Sequence, residues 1–94
     1  MSEYRVFETD EFTKRLGRLT AEKRGFLQRK LVASVYPQLR TMPYYGPNIR
    51  KLVGYEPETW RYRIGRFRVF YMIGEDVKTV YVLSVDDRKD AYRR

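Results

Sequence analysis

The stretch from Trp60 to Tyr71 alternates bulky apolar residues with arginines on either side of a two-residue turn. This alternation predicts a β-hairpin with one apolar face and one cationic face. A turn of Gly65 and Arg66 places Arg63 directly opposite Arg68. Like charges opposite each other destabilise a ladder by up to ~1 kcal/mol. We therefore interpret the pair as holding an anion, and that anion as RNA phosphate.

Arginine suits this task because its planar guanidinium donates two parallel hydrogen bonds to phosphate oxygens. Donors fixed on a strand also need little rearrangement when charge develops during a reaction. The candidate phosphate contacts on the hairpin and on the strand before it are Arg50, Lys51, Arg61, Arg63, Arg66 and Arg68. An alternative stays open, in which these cations only form surface ion pairs with nearby acidic residues. Those acidic residues are Glu56, Glu58, Asp86 and Asp87.

Composition narrows the function classes. The 94 residues contain 20 Lys and Arg against 12 Asp and Glu, so the net charge is +8. Such an excess favours polyanionic partners or simply a basic, soluble surface. Cysteine and histidine are both absent. Disulfides, thiolate metal sites and the commonest acid–base catalyst are therefore excluded. With no apolar run near ~20 residues and no signal-peptide core, we expect a cytoplasmic protein outside the membrane.

The elements that carry these residues form one domain over residues 1–94. Strands are predicted at Tyr4–Phe7 and Ile49–Val53, in the hairpin Trp60–Ile73, and at Val77–Val85, the last as a central strand covered on both sides. Thr9 and Thr20 are typical N-caps of two helices, and we expect Pro37, Pro43, Gly46 and Pro47 to close the helices and open a loop. Two helices before a mostly antiparallel sheet, in the order βααββββ, indicate the α+β class.

Four segments in this order resemble the RelE/ParE superfamily of toxins from type II toxin–antitoxin systems, and its RelE branch in particular. They are Lys51–Gly54, Trp60–Tyr71, Val80–Val85 and Asp87–Tyr92. The resemblance implies an endoribonuclease that cleaves mRNA in the ribosomal A site and so inhibits translation. In that family the ribose 2′-hydroxyl attacks the adjacent phosphate without a metal ion or cofactor.

The resemblance also implies catalytic roles. Arg68 falls on the arginine that stabilises the charged phosphate, and Arg88 on the one that contacts the scissile phosphate or leaving group. Tyr92 falls on the tyrosine that stacks on an mRNA base or assists proton transfer. Arg61 and Arg63 stand where the best-known members carry lysines. Arginine stays protonated in proteins, so these two bind and stabilise but do not act as a base.

The general base is left open. Asp87 stands where many relatives carry histidine, and it either acts as base with a raised pKa or neutralises Arg88. We favour neutralisation, because an unshifted aspartate with a pKa of about 3.9 is a weak base. Lys51 and Tyr92 are further candidates for proton transfer. Lys89 and Arg93 of the C-terminal segment are expected RNA contacts.

Two other functions remain as alternatives. A ParE-type toxin of the same fold inhibits DNA gyrase, although the short helical hairpin and the Arg88 and Tyr92 segment argue against it. A basic module that binds RNA or a protein without cleavage is the other. The resemblance implies a cognate antitoxin as partner, besides the ribosome and mRNA. We expect an antitoxin segment with acidic residues that wraps this domain.

Overall fold

A five-stranded sheet with helices packed on one face forms the structure, a computed structural model that describes residues 3–88. The strands are β1 (Arg5–Glu8), β2 (Ile49–Lys51), β3 (Trp60–Ile64), β4 (Phe67–Gly74) and β5 (Thr79–Asp87). The helices are α1 (Asp10–Gly17), α2 (Ala21–Lys30) and α3 (Tyr36–Thr41), with a π-helical segment (Leu31–Val35) between α2 and α3. The predicted α+β class and element order are confirmed. Within the described residues, no helix is long and apolar enough to cross a membrane.

The sheet order is β1-β5-β4-β3-β2, and only the β1–β5 pair is parallel. β4 therefore occupies the centre, and the cationic hairpin of β3 and β4 lies between β5 and the short edge strand β2. The predicted hairpin register is confirmed, since Arg63 lies opposite Arg68. Gly65 has a backbone φ of +59°, which this turn requires and which residues with a Cβ atom rarely adopt.

Both helix starts follow the predicted caps. The Thr9 hydroxyl accepts a hydrogen bond from the Phe12 N–H at 3.3 Å, and the Thr20 hydroxyl accepts one from the Lys23 N–H at 3.2 Å. These bonds satisfy amides that have no partner inside the helix. The N-terminal ends of α1 and α2 are thus fixed by residues that the sequence identifies.

The expectation that Pro37 closes the second helix is wrong. The helix continues through the π-helical segment into α3 and ends at Thr41. Proline lacks an N–H, and its ring collides with the carbonyl four residues earlier in a regular α-helix. Just before Pro37, the Tyr36 N–H bonds to the Leu31 carbonyl, five residues back. This wider turn lets the chain carry a proline without ending the helix.

The core lies between the helices and one face of the sheet. Its fully buried side chains include Phe12, Leu27, Leu39, Val69, Tyr71 and Val82. The Tyr71 hydroxyl donates to the Pro43 carbonyl at 2.7 Å, which ties the central strand to the loop after α3. The predicted apolar face of the hairpin is therefore the face that meets the helices.

The expectation that the last strand is covered on both sides is corrected. β5 is an internal strand, but only Val80, Val82, Val85 and Asp87 are buried, and the residues between them are partly exposed. A register shift opposite Phe70 and Tyr71 leaves Leu83 without a partner on β4. This bulge reverses the alternation, so residues after it point to the opposite face from the one a regular strand would give.

A polar cluster fastens one end of the sheet. The Tyr4 and Tyr44 hydroxyls each donate to Glu75 Oε1 at 2.7 Å, and Lys78 donates to Glu75 Oε2. These donors lower the pKa of Glu75 to about 2. Because Tyr4 precedes β1 and Tyr44 follows α3, one carboxylate joins the edge strand, the helical layer and the β4–β5 turn.

Candidate nucleic-acid interface

Four arginines of the predicted set lie together on the sheet face that the helices leave open. Arg50 on β2 is paired with Arg61 on β3, and Arg63 on β3 is paired with Arg68 on β4. The residues that alternate with them along the strands, such as Tyr62 and Val69, are buried on the side of the helices. With strands ~4.8 Å apart and alternate residues ~7 Å apart, all four Cα atoms fall within about 12 Å.

This four-arginine patch (Arg50, Arg61, Arg63 and Arg68) is not neutralised by the described part of the chain. None of the four makes an ion pair or a side-chain hydrogen bond with residues 3–88. Partial burial, followed by repulsion from the other three guanidinium groups, lowers the pKa of Arg61 from its usual range. Arginine nevertheless remains a cation at neutral pH. The patch is thus a concentrated positive charge held on a rigid sheet.

Arg68 carries a buried hydrogen-bond donor, its Nε, that lacks an acceptor within residues 3–88. A buried donor without an acceptor costs about 1–3 kcal/mol, so such donors are rare in folded proteins. Arg68 is also paired with Arg63 across the ladder, which brings a second cation next to it. An anion bound over these two residues would supply both the acceptor and the opposite charge.

Two acidic residues near the patch, Asp86 and Glu58, contact other cations. Asp86 is paired with Arg68 in the β4–β5 register, yet its Oδ1 contacts Arg15 Nη1 of α1 at 3.2 Å. Glu58 Oε2 contacts Lys51 Nζ at 2.7 Å. The alternative reading, in which the arginines serve only as ion-pair partners, does not describe the four-arginine patch. Arg15 could not be predicted as this partner, because the sequence of a helix gives no sign of which strand its side chains reach.

Asp87 lies on the helix side of the sheet, away from the patch. Its side chain is 1% exposed, and its two oxygens accept from Arg66 Nε at 2.7 Å and Arg66 Nη2 at 2.8 Å. Lys23 Nζ of α2 donates to the same carboxylate at 3.0 Å. The candidate base is therefore held as an ion-pair centre between the hairpin turn and α2. Arg66, an expected RNA contact, takes part in this ion pair and not in the patch.

The remaining predicted residues occupy three places. Lys51 is paired with Trp60 and follows Arg50 on β2, so its side chain belongs to the opposite face of the sheet from Arg50. It contacts Glu58. The Arg88 N–H donates to the Arg66 carbonyl at 2.8 Å, which brings the chain after β5 to the end of the sheet that carries Arg63 and Arg68. The predictions for Lys89, Tyr92 and Arg93 concern residues outside the described range.

The arrangement can bind and stabilise a phosphodiester, because several fixed guanidinium donors converge on one open surface. It offers several donors, and Asp86, the carboxylate that the β4–β5 register places beside Arg68, contacts Arg15 of α1. Among residues 3–88, no three acidic side chains gather in the way that metal ligands do.

Comparison with known proteins places the chain in a family. The family model described as ParE toxin of type II toxin–antitoxin system, parDE, matches residues 9–92. A search of curated proteins finds no match. Among solved structures, a chain of the RelBE2 toxin–antitoxin complex of Mycobacterium tuberculosis has a TM-score of 0.70 at 23% identity, covering 92% of this chain and 99% of that one.

Two further structures show the same fold. A chain of the archaeal RelE–RelB complex from Pyrococcus horikoshii has a TM-score of 0.64 at 24% identity and covers 100% of both chains. The isolated Escherichia coli RelE toxin has a TM-score of 0.62 at 23% identity, covering 89% of this chain and 83% of that one. With a family model matched over most of its length and this fold throughout, the chain belongs to the RelE/ParE family of toxins of type II toxin–antitoxin systems.

Proposed function

We propose that this toxin inhibits translation by cleaving mRNA on the ribosome. The observation that carries the proposal is the four-arginine patch, in which the buried Nε of Arg68 has no hydrogen-bond partner among residues 3–88. A phosphodiester placed there gains several charge-assisted hydrogen bonds at once. The charge that develops on phosphate when the 2′-hydroxyl attacks falls within reach of the same donors. Arg88, next to the hairpin turn, joins this end of the sheet as the contact to the scissile phosphate or leaving group.

Proton transfer in this proposal falls to Tyr92. Asp87 is engaged by Arg66 and Lys23 on the helix side, and Lys51 has the opposite parity and contacts Glu58. Neither is placed to take a proton from a nucleotide bound on the patch. Replacement of Tyr92 by phenylalanine keeps the ring and removes the hydroxyl. We expect this variant to cleave more slowly than the native chain under conditions where circular dichroism shows it to be folded.

The experiment that tests the activity is mRNA mapping in a translating extract. Purified toxin is added at doses that stop protein synthesis, and the 5′ ends of a defined message are mapped. The proposal expects new ends that appear only when ribosomes translate the message. Intact message at doses that block synthesis would contradict it. In the same extract, binding of RNA without new ends would identify a non-catalytic basic module.

Inhibition of DNA gyrase is the second candidate. The matching family model is described as a ParE toxin, and the second helix runs on to Thr41, so the hairpin is longer than the sequence argument against this function assumed. A supercoiling assay separates the two activities. Gyrase that keeps its activity at stoichiometric toxin excludes this candidate, and loss of supercoiling with intact message would replace the first.

The partner proposed for this chain is an antitoxin. The structures from M. tuberculosis and P. horikoshii are toxin–antitoxin complexes, which supports a cognate antitoxin here as well. Because the four-arginine patch lacks carboxylate partners within residues 3–88, an acidic antitoxin segment laid over it would gain ion pairs and cover the phosphate site. Salt-sensitive neutralisation of the toxin by its antitoxin would support this mode of inhibition.

A further inference from the structure

Beside the four-arginine patch, the open face of the sheet carries a set of aromatic and apolar side chains. Phe70 and Met72 lie on β4, Tyr81 on β5 and Phe7 on β1, all with the parity of Arg61 and Arg68. Phe70, Met72 and Tyr81 are partly exposed, and Phe7 is 55% exposed. Within residues 3–88, the helices pack against the other face. These residues therefore form an uncovered band that begins at the patch and ends at the β1 edge.

The register gives the geometry of this band, which we call the aromatic track (Phe70, Met72, Tyr81 and Phe7). Phe70 is paired with Arg61, so the track starts next to the patch. Met72 is paired with Tyr81, and Tyr81 is paired with Phe7. The ring centroids of Tyr81 and Phe7 are 6.1 Å apart, with an interplanar angle of 72°. From Phe70 to Phe7, two strand spacings and two residues along the strand amount to about 12 Å. A few nucleotides in extended conformation cover that distance.

A shallow pocket closes the track at its far end. It has a volume of about 300 Å³ and is lined by Arg5, Val6, Phe7, Thr79 and Tyr81. Two aromatic rings border it, and Arg5 stands at its rim without an ion pair to the described residues. Aromatic rings with a cation beside them suit a nucleotide, because the base can stack on a ring while the phosphate contacts the cation.

We propose that the aromatic track binds the bases of single-stranded RNA next to the phosphate held by the four-arginine patch. The inference rests on the proposed function and adds to it a second contact region, which selects unpaired nucleotides on one side of the cleavage site. Stacking on aromatic rings tolerates any base, since every base has a π-face. A duplex buries those faces, so paired RNA gains nothing from the track.

Charge complementarity favours RNA as the occupant of this face. A second copy of this chain, with its net charge of +8, would be repelled by the guanidinium groups at the start of the track, which have no carboxylate partner within residues 3–88. RNA supplies one negative charge per nucleotide along its backbone and an apolar face with every base. Along this face the arginines of the patch come first, the side chains of the aromatic track follow, and Arg5 lies at the end. The arginines suit the phosphates of RNA, and the rings suit its bases.

The test compares two fluorescent probes by anisotropy with the full chain. One is a single-stranded 2′-O-methyl RNA, which lacks the attacking hydroxyl and is not cleaved. The other has the same backbone without bases. The native chain is expected to bind the first probe ~5-fold or more tightly, the effect of stacking one base or more. A variant with both Phe7→Leu and Tyr81→Leu is expected to lose most of this preference, with an unchanged dependence of log Kd on salt, because no charge is altered.

Two controls complete the experiment. Tyr45→Leu removes a ring that is 73% exposed in the loop after α3, and it is expected to keep the native ratio between the probes. Circular dichroism confirms that each variant is folded at the assay temperature. If the double variant keeps the native ratio, or if the native chain binds both probes alike, the inference is overturned.

Arg68→Ala separates failure of the inference from failure of the proposed function. This substitution is expected to weaken the binding of both probes, because each probe contains the phosphates. If Arg68→Ala weakens binding and the ring variant does not, the track is wrong and the patch stands. If Arg68→Ala binds both probes as the native chain does, the proposed phosphate site is wrong, and the inference that rests on it fails as well.

Discussion

Replacing Asp87 with asparagine distinguishes a structural carboxylate from a catalytic base. In the structure, Asp87 accepts two hydrogen bonds from Arg66 and one from Lys23, and its side chain is 1% exposed. Asparagine has nearly the same shape but carries no charge and only one acceptor oxygen. The substitution therefore removes the carboxylate that Arg66 and Lys23 share at the point where the hairpin turn, β5 and α2 meet.

The expected loss follows from the exposure of the three side chains. Removing one member of a buried ion pair costs about 3–5 kcal/mol, because the other charge is left uncompensated. Here the Arg66 and Lys23 side chains are 44% and 37% exposed, so both can be hydrated after the substitution. We therefore expect a loss of about 2–3 kcal/mol in the free energy of unfolding. For a domain of this size that corresponds to a fall in Tm of roughly 10–15 °C.

Thermal unfolding at pH 7 measures this effect, and Asp86→Asn is its matched control. Asp86 pairs with Arg15 at 3.2 Å, with side chains 36% and 44% exposed, so its removal is expected to cost less than ~1 kcal/mol. Well below its Tm, the Asp87→Asn variant is expected to cleave mRNA within a few-fold of the native rate. Unchanged stability together with a loss of cleavage near 100-fold would refute the reasoning and return Asp87 to the role of general base.

Three more predictions concern stability. Tyr71→Phe removes the donor to the buried Pro43 carbonyl, and urea unfolding should show a loss of about 1–3 kcal/mol; no loss would mean that water replaces the hydroxyl. Gly65→Val places a β-branched residue at φ +59°, where nothing lies within 4 Å, so backbone strain alone should cost about 1–2 kcal/mol, whereas Gly65→Asn should cost less. For Glu75, the folded pKa of about 2 lies below the ordinary 4.5, so its contribution to stability is full above pH 4.5 and is lost as the pH falls toward 2. Glu75→Gln should therefore weaken the acid dependence of stability in that range, and an identical pH profile would contradict the assigned pKa.

Much of the hairpin could be predicted from sequence because its information is local. Strict alternation fixes which residues share a face, and Gly65 fixes the turn and with it the pairing of Arg63 and Arg68. The helix caps at Thr9 and Thr20 are local signals of the same kind. Each of these features depends on residues only a few positions apart.

The position of Asp87 could not be predicted because it depends on the bulge in β5. Without a bulge, Ser84 and Asp86 would continue the buried parity of Val80 and Val82, and Asp87 would face the patch. The register shift at Leu83 reverses this, so Asp87 turns to the helices and Asp86 to the open face. The strand is apolar at both parities before the bulge, so its sequence gives no sign of the change.

The length of the second helix escaped prediction for a related reason. Pro37 is a strong signal for a helix end, since it removes one hydrogen bond and crowds the preceding turn. The chain meets this cost with a wider turn before Pro37, while buried Tyr36 and Leu39 hold α3 against the core. Packing of those two side chains therefore outweighs the local preference, and packing is not visible in a proline signal.

The rate of mRNA cleavage by Arg68→Ala, measured beside Arg29→Ala, tests the central claim most directly. Both variants lose one positive charge, but Arg29 is an exposed residue of α2 and Arg68 is the buried donor of the four-arginine patch. The account predicts that in a translating extract Arg68→Ala cleaves about 100-fold more slowly or worse, as loss of one preset donor to a developing charge requires. It predicts that Arg29→Ala cleaves at the native rate. Equal cleavage by the two variants, with both folded, would contradict the account.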